Sequence, residues 1–341
     1  MSNIQNVATR AGVSTMTVSR VLNNSGYVSS DARRRVEAAI AELGYVPNTL
    51  ARSLRSKRTR TLALVLSDIT NPFFTTVARG VEDVAHERGF NVMLCNTDES
   101  EEKQCRYLTT LLQKRVDGVL LVPARSTAEA VTWVQERGVP VVVLDRRVPA
   151  ASVDVVRGDS EGGAYCLVKL MIGLGHKRIA VLSGPEGVST AADRVAGYRR
   201  AMAEAGLCCD GELIRHDAFS QASGYRMAQQ MLQLSPRPTA LFAANNFIAI
   251  GAYRGVQDAG LRIPDDMTIV TFDEIPVSFV LDPFLTVAAQ PAYDMGKQAT
   301  ELLLERLSGE VTDGCREIVL PIEIIVRRSS GPPPRTAGLA R

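Results

Sequence analysis

The sequence predicts an N-terminal all-α headpiece followed by an α/β core of two doubly wound lobes. Three observations carry that prediction. Periodic segments before residue 60 are helical, whereas from Thr61 onward apolar runs of strand length alternate with amphipathic, helix-length segments. Some seven such runs, broken by a long irregular stretch at 146–159, suit two similar lobes better than one sheet. Charge divides at the same place. Residues 1–60 hold ten Lys/Arg against Asp31, Glu37 and Glu42, a net of +7, and the remainder of this 341-residue chain carries −5. A small basic module on a mildly acidic body implies a polyanionic partner at one end only.

In the headpiece, Ile4, Val7, Ala8 and Ala11 follow i, i+3, i+4, i+7, and Gly12-Val13-Ser14 breaks that helix. Ser14 can cap a second helix running through Asn23, with Val18, Val21 and Leu22 on one face. A third helix over about Asp31–Leu43 buries Ala32, Val36, Ala39, Ile40 and Leu43 before Gly44 ends it. Pro47-Asn48 opens one more short helical stretch, Thr49–Arg55.

The core's apolar runs read as buried parallel strands: TLALVLS (61–67), NVMLCN (91–96), GVLLVP (118–123), PVVVLD (140–145), RIAVLSG (178–184), TALFAAN (239–245) and MTIVTFD (267–273). Helices include Phe73–Arg88 and Arg194–Ala205. A last helix at 291–308 and strands near 316–320 and 322–327 are expected to cross back between the lobes. The expected division is therefore 1–47 for the headpiece and 48–60 for a hinge and linker. The first lobe takes 61–158 with 289–318, and the second takes 159–288 with 319–330. The tail, 331–341, has no apolar period and is expected to be disordered.

Composition excludes several classes. Cys95, Cys105, Cys166, Cys208, Cys209 and Cys315 show no paired spacing, and His86, His176 and His216 are scattered, so neither a zinc site nor any cofactor is expected. Most of the cysteines read as reduced core residues. No apolar run suits a secretory signal or a membrane span, which predicts a cytoplasmic protein without a membrane partner. An enzyme reading lacks its chemistry: there is no G-x-S-x-G, H-E-x-x-H or phosphate loop, and Gly158-Asp-Ser-Glu-Gly162-Gly163 lacks dinucleotide spacing.

Two helices joined by a three-residue turn within twenty residues form a helix-turn-helix pattern. Thr15, Met16, Ser19 and Arg20 lie opposite the apolar face of the second helix. Arg20 can donate two parallel hydrogen bonds to guanine O6 and N7, while Thr15 and Met16 can meet base edges and thymine methyls. A generic three-helix bundle would show the same apolar spacing; the basic charge favours DNA, because phosphate neutralisation is the main sequence-independent source of affinity.

Over residues 4–60 the string VATRAGVSTMTVSRVLNNSGYVSSDARRRVEAAIAELGYVPNTLARSLRS resembles the headpiece of the LacI/GalR family of bacterial regulators. The resemblance implies base reading at Thr15, Met16 and Arg20, and a minor-groove wedge at Leu54. The candidate DNA-contacting set is Thr15, Met16, Ser19, Arg20 and Asn23, with Asn48, Ala51 and Leu54 in the hinge. Asn6 stands where the family usually has aspartate, and Met16 where a polar residue is commoner. Seven or eight residues are too few for a stable isolated helix, so Asn48–Arg55 should form only when two copies pack over DNA. An inserted Leu54 would then unstack a base step and bend the duplex.

The resemblance continues through Thr61–Arg328, on DITNPFF, RVDGVLLVP, GHKRIAVLSGP, RVAGYRRAM, GLRIPDD and LTVAAQP, and implies a periplasmic-binding-protein-like core. In such a fold, ligands bind in a cleft at the carboxyl ends of the strands. Asp145, Asn245 and Asp273 follow strands, Arg194 opens a helix after the SGP turn, and Phe73, Phe74 and Phe219 offer flat apolar surfaces. Carboxylates accept from neighbouring hydroxyls, arginine donates in a fork, and asparagine does both, which suits a sugar or another hydroxyl-rich ring. The resemblance implies effector contacts at Phe73, Phe74, Arg194, Phe219, Asn245, Asp273 and Gln290; Asp145 joins them from its strand-end position. The sequence thus predicts a homodimeric, ligand-responsive repressor binding a pseudo-palindromic operator, with a carbohydrate-like effector. A solute-binding protein for sugar uptake would share the core but not the +7 headpiece.

Overall fold

Local sequence signals set the headpiece's three helices, α1 (Ile4–Ala11), α2 (Thr15–Leu22) and α3 (Ser30–Leu43). Asn3 and Asn6 cap α1 reciprocally, each side-chain oxygen accepting from the other's backbone N–H at 2.9–3.0 Å. The amide of Asn6 thus does the work of a capping-box carboxylate. Gly12, at φ 64°, ends α1 in a left-handed turn that a side chain would strain. Ser14 and Ser29 cap α2 and α3. Val7, Val18 and Val36 are fully buried at the centre of the three-helix core. The protein is described by a computed structural model over residues 3–46, 58–275, 282–309 and 314–334. The expected hinge helix, with Asn48, Leu50, Ala51 and Leu54, lies outside the described residues.

The chain divides into two compact units, Met1–Thr59 and Arg60–Arg341. The second unit alternates strand and helix: β1 (Thr61–Leu66), α4 (Pro72–Glu87), β2 (Asn91–Asn96), α5 (Glu101–Gln113), β3 (Gly118–Leu121), α6 (Glu129–Gln135), β4 (Val141–Leu144) and β5 (Asp154–Gly158). It continues with α7 (Ser160–Gly173), β6 (Ile179–Ser183), α8 (Ser189–Glu204), β7 (Ile214–His216), α9 (Gln221–Leu232), β8 (Ala240–Ala243), α10 (Asn246–Asp258) and β9 (Thr268–Phe272). It closes with β10 (Thr286–Ala289), α11 (Ala292–Ser308), β11 (Glu317–Leu320) and β12 (Glu323–Ile325).

Two six-stranded sheets result, ordered β11-β5-β4-β3-β1-β2 and β12-β10-β9-β8-β6-β7. Every pairing is parallel except β10 with β12. Burial on both faces explains why the inner strands are continuous apolar runs: β1, β3, β4, β6, β8 and β9 are almost wholly buried. In each sheet the strand order reverses beside the first strand, at β1/β3 and β6/β8, which opens a crevice at the carboxyl ends. The chain passes between the sheets after β5, after β10 and between β11 and β12.

Several expectations need correction. The NVMLCN run forms β2, but at a sheet edge, with Leu94 exposed, so it is not a buried strand. The stretch 146–159 contains β5, and β7 and β10 are strands the periodicity did not single out. The lobe boundary drawn at 318/319 cuts β11, which stays in the first sheet through Leu320, while Ala289 ends β10 in the second. Most of the cysteines are not core residues: Cys105, Cys166, Cys208 and Cys315 are exposed, while Cys95 and Cys209 pack half-buried against the core and all six are free, as expected of reduced cysteines. The start of the tail is held at Gly331. The Gly331 carbonyl accepts from His176 Nε2 at 2.8 Å and Thr268 Oγ1 at 3.0 Å, and its N–H donates back to Thr268. Backbone hydrogen bonds to buried side chains leave no trace in apolar periodicity.

Helix pairs in the core touch at glycines. A Cβ on Gly251 in α10 would lie 1.9 Å from the Gln221 carbonyl oxygen of α9, and one on Gly224 in α9 would lie 2.2 Å from that of Ile248 in α10. Both helices therefore lie backbone against backbone. Gly251→Ala is expected to push them apart and cost about 1–3 kcal/mol. A thermal melt of the full chain should show a lower Tm; an unchanged Tm would mean that the helices part freely.

Candidate functional site

The headpiece presents the outer face of α2 as its candidate DNA-reading surface. Thr15, Met16, Arg20 and Asn23 are exposed, with Met16 at 55%, and Ser19 is half-buried. Ser19 and Asn23 are already engaged with each other, since the Asn23 amide donates to the Ser19 carbonyl at 2.8 Å and to its hydroxyl at 3.2 Å. They close the helix end as well as facing outward. The arginines separate sharply. Arg10 pairs with Glu42, Arg34 and Arg35 with Asp31, Arg35 also holds the Ala11 carbonyl, and Arg33 binds the Asn24 side chain. Among the described headpiece residues, Arg20 is the arginine whose guanidinium has no hydrogen-bond or ion-pair partner. Tyr27, 88% exposed in the turn before α3, is a surface aromatic that sequence reasoning passed over.

In the core, loops after the strands of both sheets converge on one cavity of about 40 Å³. From the first sheet come Asp68, Asn71, Phe73 and Phe74 after β1, Glu99 after β2, and Asp145 and Arg146 after β4. From the second come Thr190 and Arg194 on α8, Phe219 after β7, Asn245 after β8 and Asp273 after β9. Seven of the eight expected effector residues line it, and the eighth, Gln290, donates to Asp273 at 2.6 Å. One placement differs: α8 begins at Ser189, so Arg194 sits in its second turn rather than opening it.

Each side chain is held by its local structure. Asn71 caps α4 ahead of Pro72, which presents Phe73 and Phe74 edge-to-face with ring centroids 5.0 Å apart. Asn245 caps α10 by accepting from Ile248 N–H at 2.8 Å. Asp145 and Asp273 both take left-handed backbone, at φ 64° and 67°, and Asp273 docks through its N–H on the Ala288 carbonyl. Such conformations are costly for non-glycine residues and cluster at binding sites. The ring of Phe219 lies over Gly184, where a Cβ would come within 2.1 Å of it. Across the cleft, Asn71 and Asn246 exchange amide hydrogen bonds of 2.9–3.0 Å, and Arg147 pairs with Asp193, so two polar pairs bridge the lobes.

Electrostatics set the cavity's chemistry. Arg194 is 3% exposed, stacks 3.9 Å from the Phe272 ring, donates to the Ala244 carbonyl at 2.6 Å and lies 3.9 Å from Asp273. Burial pushes the Asp145 carboxyl up to about 6 against the opposing pull of Arg146 and Arg194. Burial also raises Asp273, against the pull of Arg194 and the hydrogen bond from Gln290. Among the described residues, three buried polar atoms of the cavity lining have no hydrogen-bond partner: Asp145 Oδ1, Arg146 Nε and Arg194 Nε. Such atoms are costly unless something completes them. Asp68, Asn71, Glu99, Arg146 and Thr190 were missed by the sequence reading; Arg146, next to Asp145, carried the one available signal.

The family described as bacterial regulatory proteins, lacI family, matches residues 3–48. The family of periplasmic binding proteins and the sugar-binding domain of the LacI family matches 59–327. The chain is 37% identical over 330 residues to the ribose operon repressor of Halalkalibacterium halodurans, covering 97% of each chain. Among solved structures it resembles a lac repressor dimer bound to operator and the anti-inducer ONPF (TM-score 0.85, 27% identity, 97% and 99% coverage). It also resembles a complex of the transcriptional regulator CelR with cellobiose (TM-score 0.74, 34% identity, 97% and 100% coverage).

Proposed function

The chain belongs to the LacI family of bacterial regulatory proteins and is a ligand-responsive, DNA-binding transcription regulator rather than an enzyme; from that premise we propose a mechanism and name the residues that carry it. Two headpieces of a homodimer read the half-sites of a pseudo-palindromic operator through Thr15, Met16 and Arg20, and repress. A carbohydrate binds between the core lobes against Phe73, Phe74, Asp145, Arg194, Phe219, Asn245, Asp273 and Gln290. The relatives named for ribose and cellobiose support a sugar. Among the described residues no helix is long and apolar enough to cross a membrane.

The observation that carries the effector reading is the set of three unpartnered buried atoms in the cavity lining. Two are N–H donors and one is an acceptor, contributed by both lobes. A hydroxyl both donates and accepts, so adjacent ring hydroxyls can complete all three, with Phe219 and the Phe73–Phe74 pair covering ring faces. The cavity's 40 Å³ has room for about three waters at most, less than a sugar ring. Entry must therefore part the lobes, and that motion supplies the coupling. A ligand shifts operator affinity only by its differential affinity for the two lobe arrangements. Domain units 1–47, 48–60 and the two lobes then act as reader, transmitter and sensor.

A thermal-shift screen with D-ribose, other neutral monosaccharides and cellobiose tests this, followed by a mobility-shift titration of operator with any hit. A hit that raises Tm and changes operator affinity is expected. Raised Tm without any change in DNA binding would break the link between cleft and headpiece.

The raised Asp145 carboxyl adds a pH signature. A hydroxyl donating to Asp145 Oδ1 favours the charged form, so binding lowers this group's pKa and releases a proton. Affinity should be full above pH 7 and fall as pH drops through about 6, by at most about tenfold per pH unit for one proton. Isothermal titration between pH 5 and 8 reads this, and Asp145→Asn should flatten the profile.

A further inference from the structure

Two arginines face the cleft, but only one brings net charge to it. Arg146, 2% exposed, is clamped by Glu99, whose carboxylate takes Nη1 at 2.7 Å and Nη2 at 2.5 Å. The same Nη1 donates to the Pro123 carbonyl at 2.7 Å and reaches that of Ala124 at 3.3 Å. The plane of the fork is thus spent on Glu99 and backbone. The guanidinium nitrogen left without any partner is Nε, 3.8 Å from Asp145 Oδ2. Glu99 itself is delivered from β2 by two successive left-handed residues, Asp98 at φ 50° and Glu99 at φ 58°. That costly backbone aims a carboxylate 47 positions away in sequence at Arg146.

Apart from the two arginines, the charged residues of the lining are acidic. Asp68, Asp145 and Asp273 face the same space, and the one guanidinium not bound by a carboxylate through a hydrogen bond is Arg194. A ligand bearing a carboxylate or phosphate would meet these carboxylates in a low-dielectric cavity with Arg194 alone to pair it, and Arg194 already lies 3.9 Å from Asp273.

We propose that Glu99 sets the ligand's charge class: by neutralising Arg146 it makes the cleft accept a neutral, hydroxyl-rich ring and reject the same ring carrying a carboxylate or phosphate. This rests on the cleft being the effector site. Removing the Glu99 charge frees Arg146 and should admit the anionic forms.

The test uses the full chain, with matched sets: D-ribose and ribose 5-phosphate; D-glucose, D-glucuronate and glucose 6-phosphate. Binding is read by thermal shift and isothermal titration on wild type, Glu99→Gln, and Glu99→Gln combined with Arg146→Met. Wild type is expected to bind a neutral sugar and to bind its anionic partners at least about tenfold more weakly. Glu99→Gln should narrow or invert that preference. The double variant, which loses both charges, should restore rejection of the anions, separating unmasked charge from a loosened pocket. Should Glu99→Gln fail to fold, wild type against the double variant still decides, since both must reject anions. Equal or tighter anion binding by wild type, or an unchanged preference in a folded Glu99→Gln, overturns the proposal alone. No shift with any compound in any variant removes the effector reading beneath it, and the proposal with it.

Discussion

Arg194→Ala is expected to abolish the response to effector while the headpiece still binds operator. The side chain is a buried strut: its guanidinium stacks on Phe272, holds the Ala244 carbonyl and faces Asp273, and its Nε has no partner within the protein. Truncation removes the guanidinium that the second lobe contributes to the cavity among the described residues and leaves Asp145 and Asp273 buried with less opposing charge. A charge-assisted hydrogen bond contributes about 1.5–3 kcal/mol. Loss of one or two such bonds to the ligand weakens binding by about tenfold to more than a hundredfold. The core also loses stability, by up to about 3–5 kcal/mol where a buried charge is left unpaired. Both carboxyls should rise further, which favours their neutral forms and softens that cost. Arg194→Lys separates the two effects, because it keeps the charge but not the Nε fork; it should recover Tm without recovering response. The headpiece is a separate compact unit with its own core, so mobility shifts without ligand should match wild type. Normal induction by Arg194→Ala would place the effector elsewhere.

The contrast between Arg194 and Arg146 shows where sequence reasoning reached and where it stopped. The alternation of strand and helix was legible because parallel strands buried on both faces must be apolar throughout, as β1, β4 and β6 are. Strand-end polar residues were legible for the same reason, since a polar side chain at the end of such a run marks the crevice. Strands β2, β5, β7 and β10 blur that signal because they are short, lie near or at an edge, or mix charge into the run. The start of α8 was hidden by Ser189 and Thr190, which bury without apolar character, and by an N-cap, Val188, with no capping side chain. The Glu99 clamp could not be read at all. It pairs a loop after one strand with a loop after another, and only the sheet order brings them together. Asn71 with Asn246 is the extreme case, a reciprocal amide pair joining positions 175 residues apart.

Arg20→Ala should cost the headpiece its operator specificity without costing it its fold. Arg20 is exposed on α2 and supports no buried contact, so far-ultraviolet circular dichroism and Tm should stay at wild-type values. Its neighbours are poor substitutes as base readers: Arg10, Arg33, Arg34 and Arg35 each hold an acid, an amide or a backbone carbonyl that a base edge would have to outcompete. An uncommitted guanidinium on an outward helix face enters a groove with its donors free. A bidentate contact to guanine contributes about 1–3 kcal/mol of discrimination, which predicts a loss of about 5- to 150-fold on operator. Affinity for random duplex should change little, and the salt slope should fall by less than about one unit. Arg35→Ala makes the instructive control. Its guanidinium donates to the Ala11 carbonyl at 3.1 Å and pairs with Asp31, so this change should lower the headpiece's Tm and weaken operator and random DNA together. If Arg20→Ala instead weakened both DNAs equally at constant Tm, Arg20 would be a phosphate contact. The reading of sequence would then fall to Thr15 and Met16, whose short hydroxyl and thioether can discriminate far less.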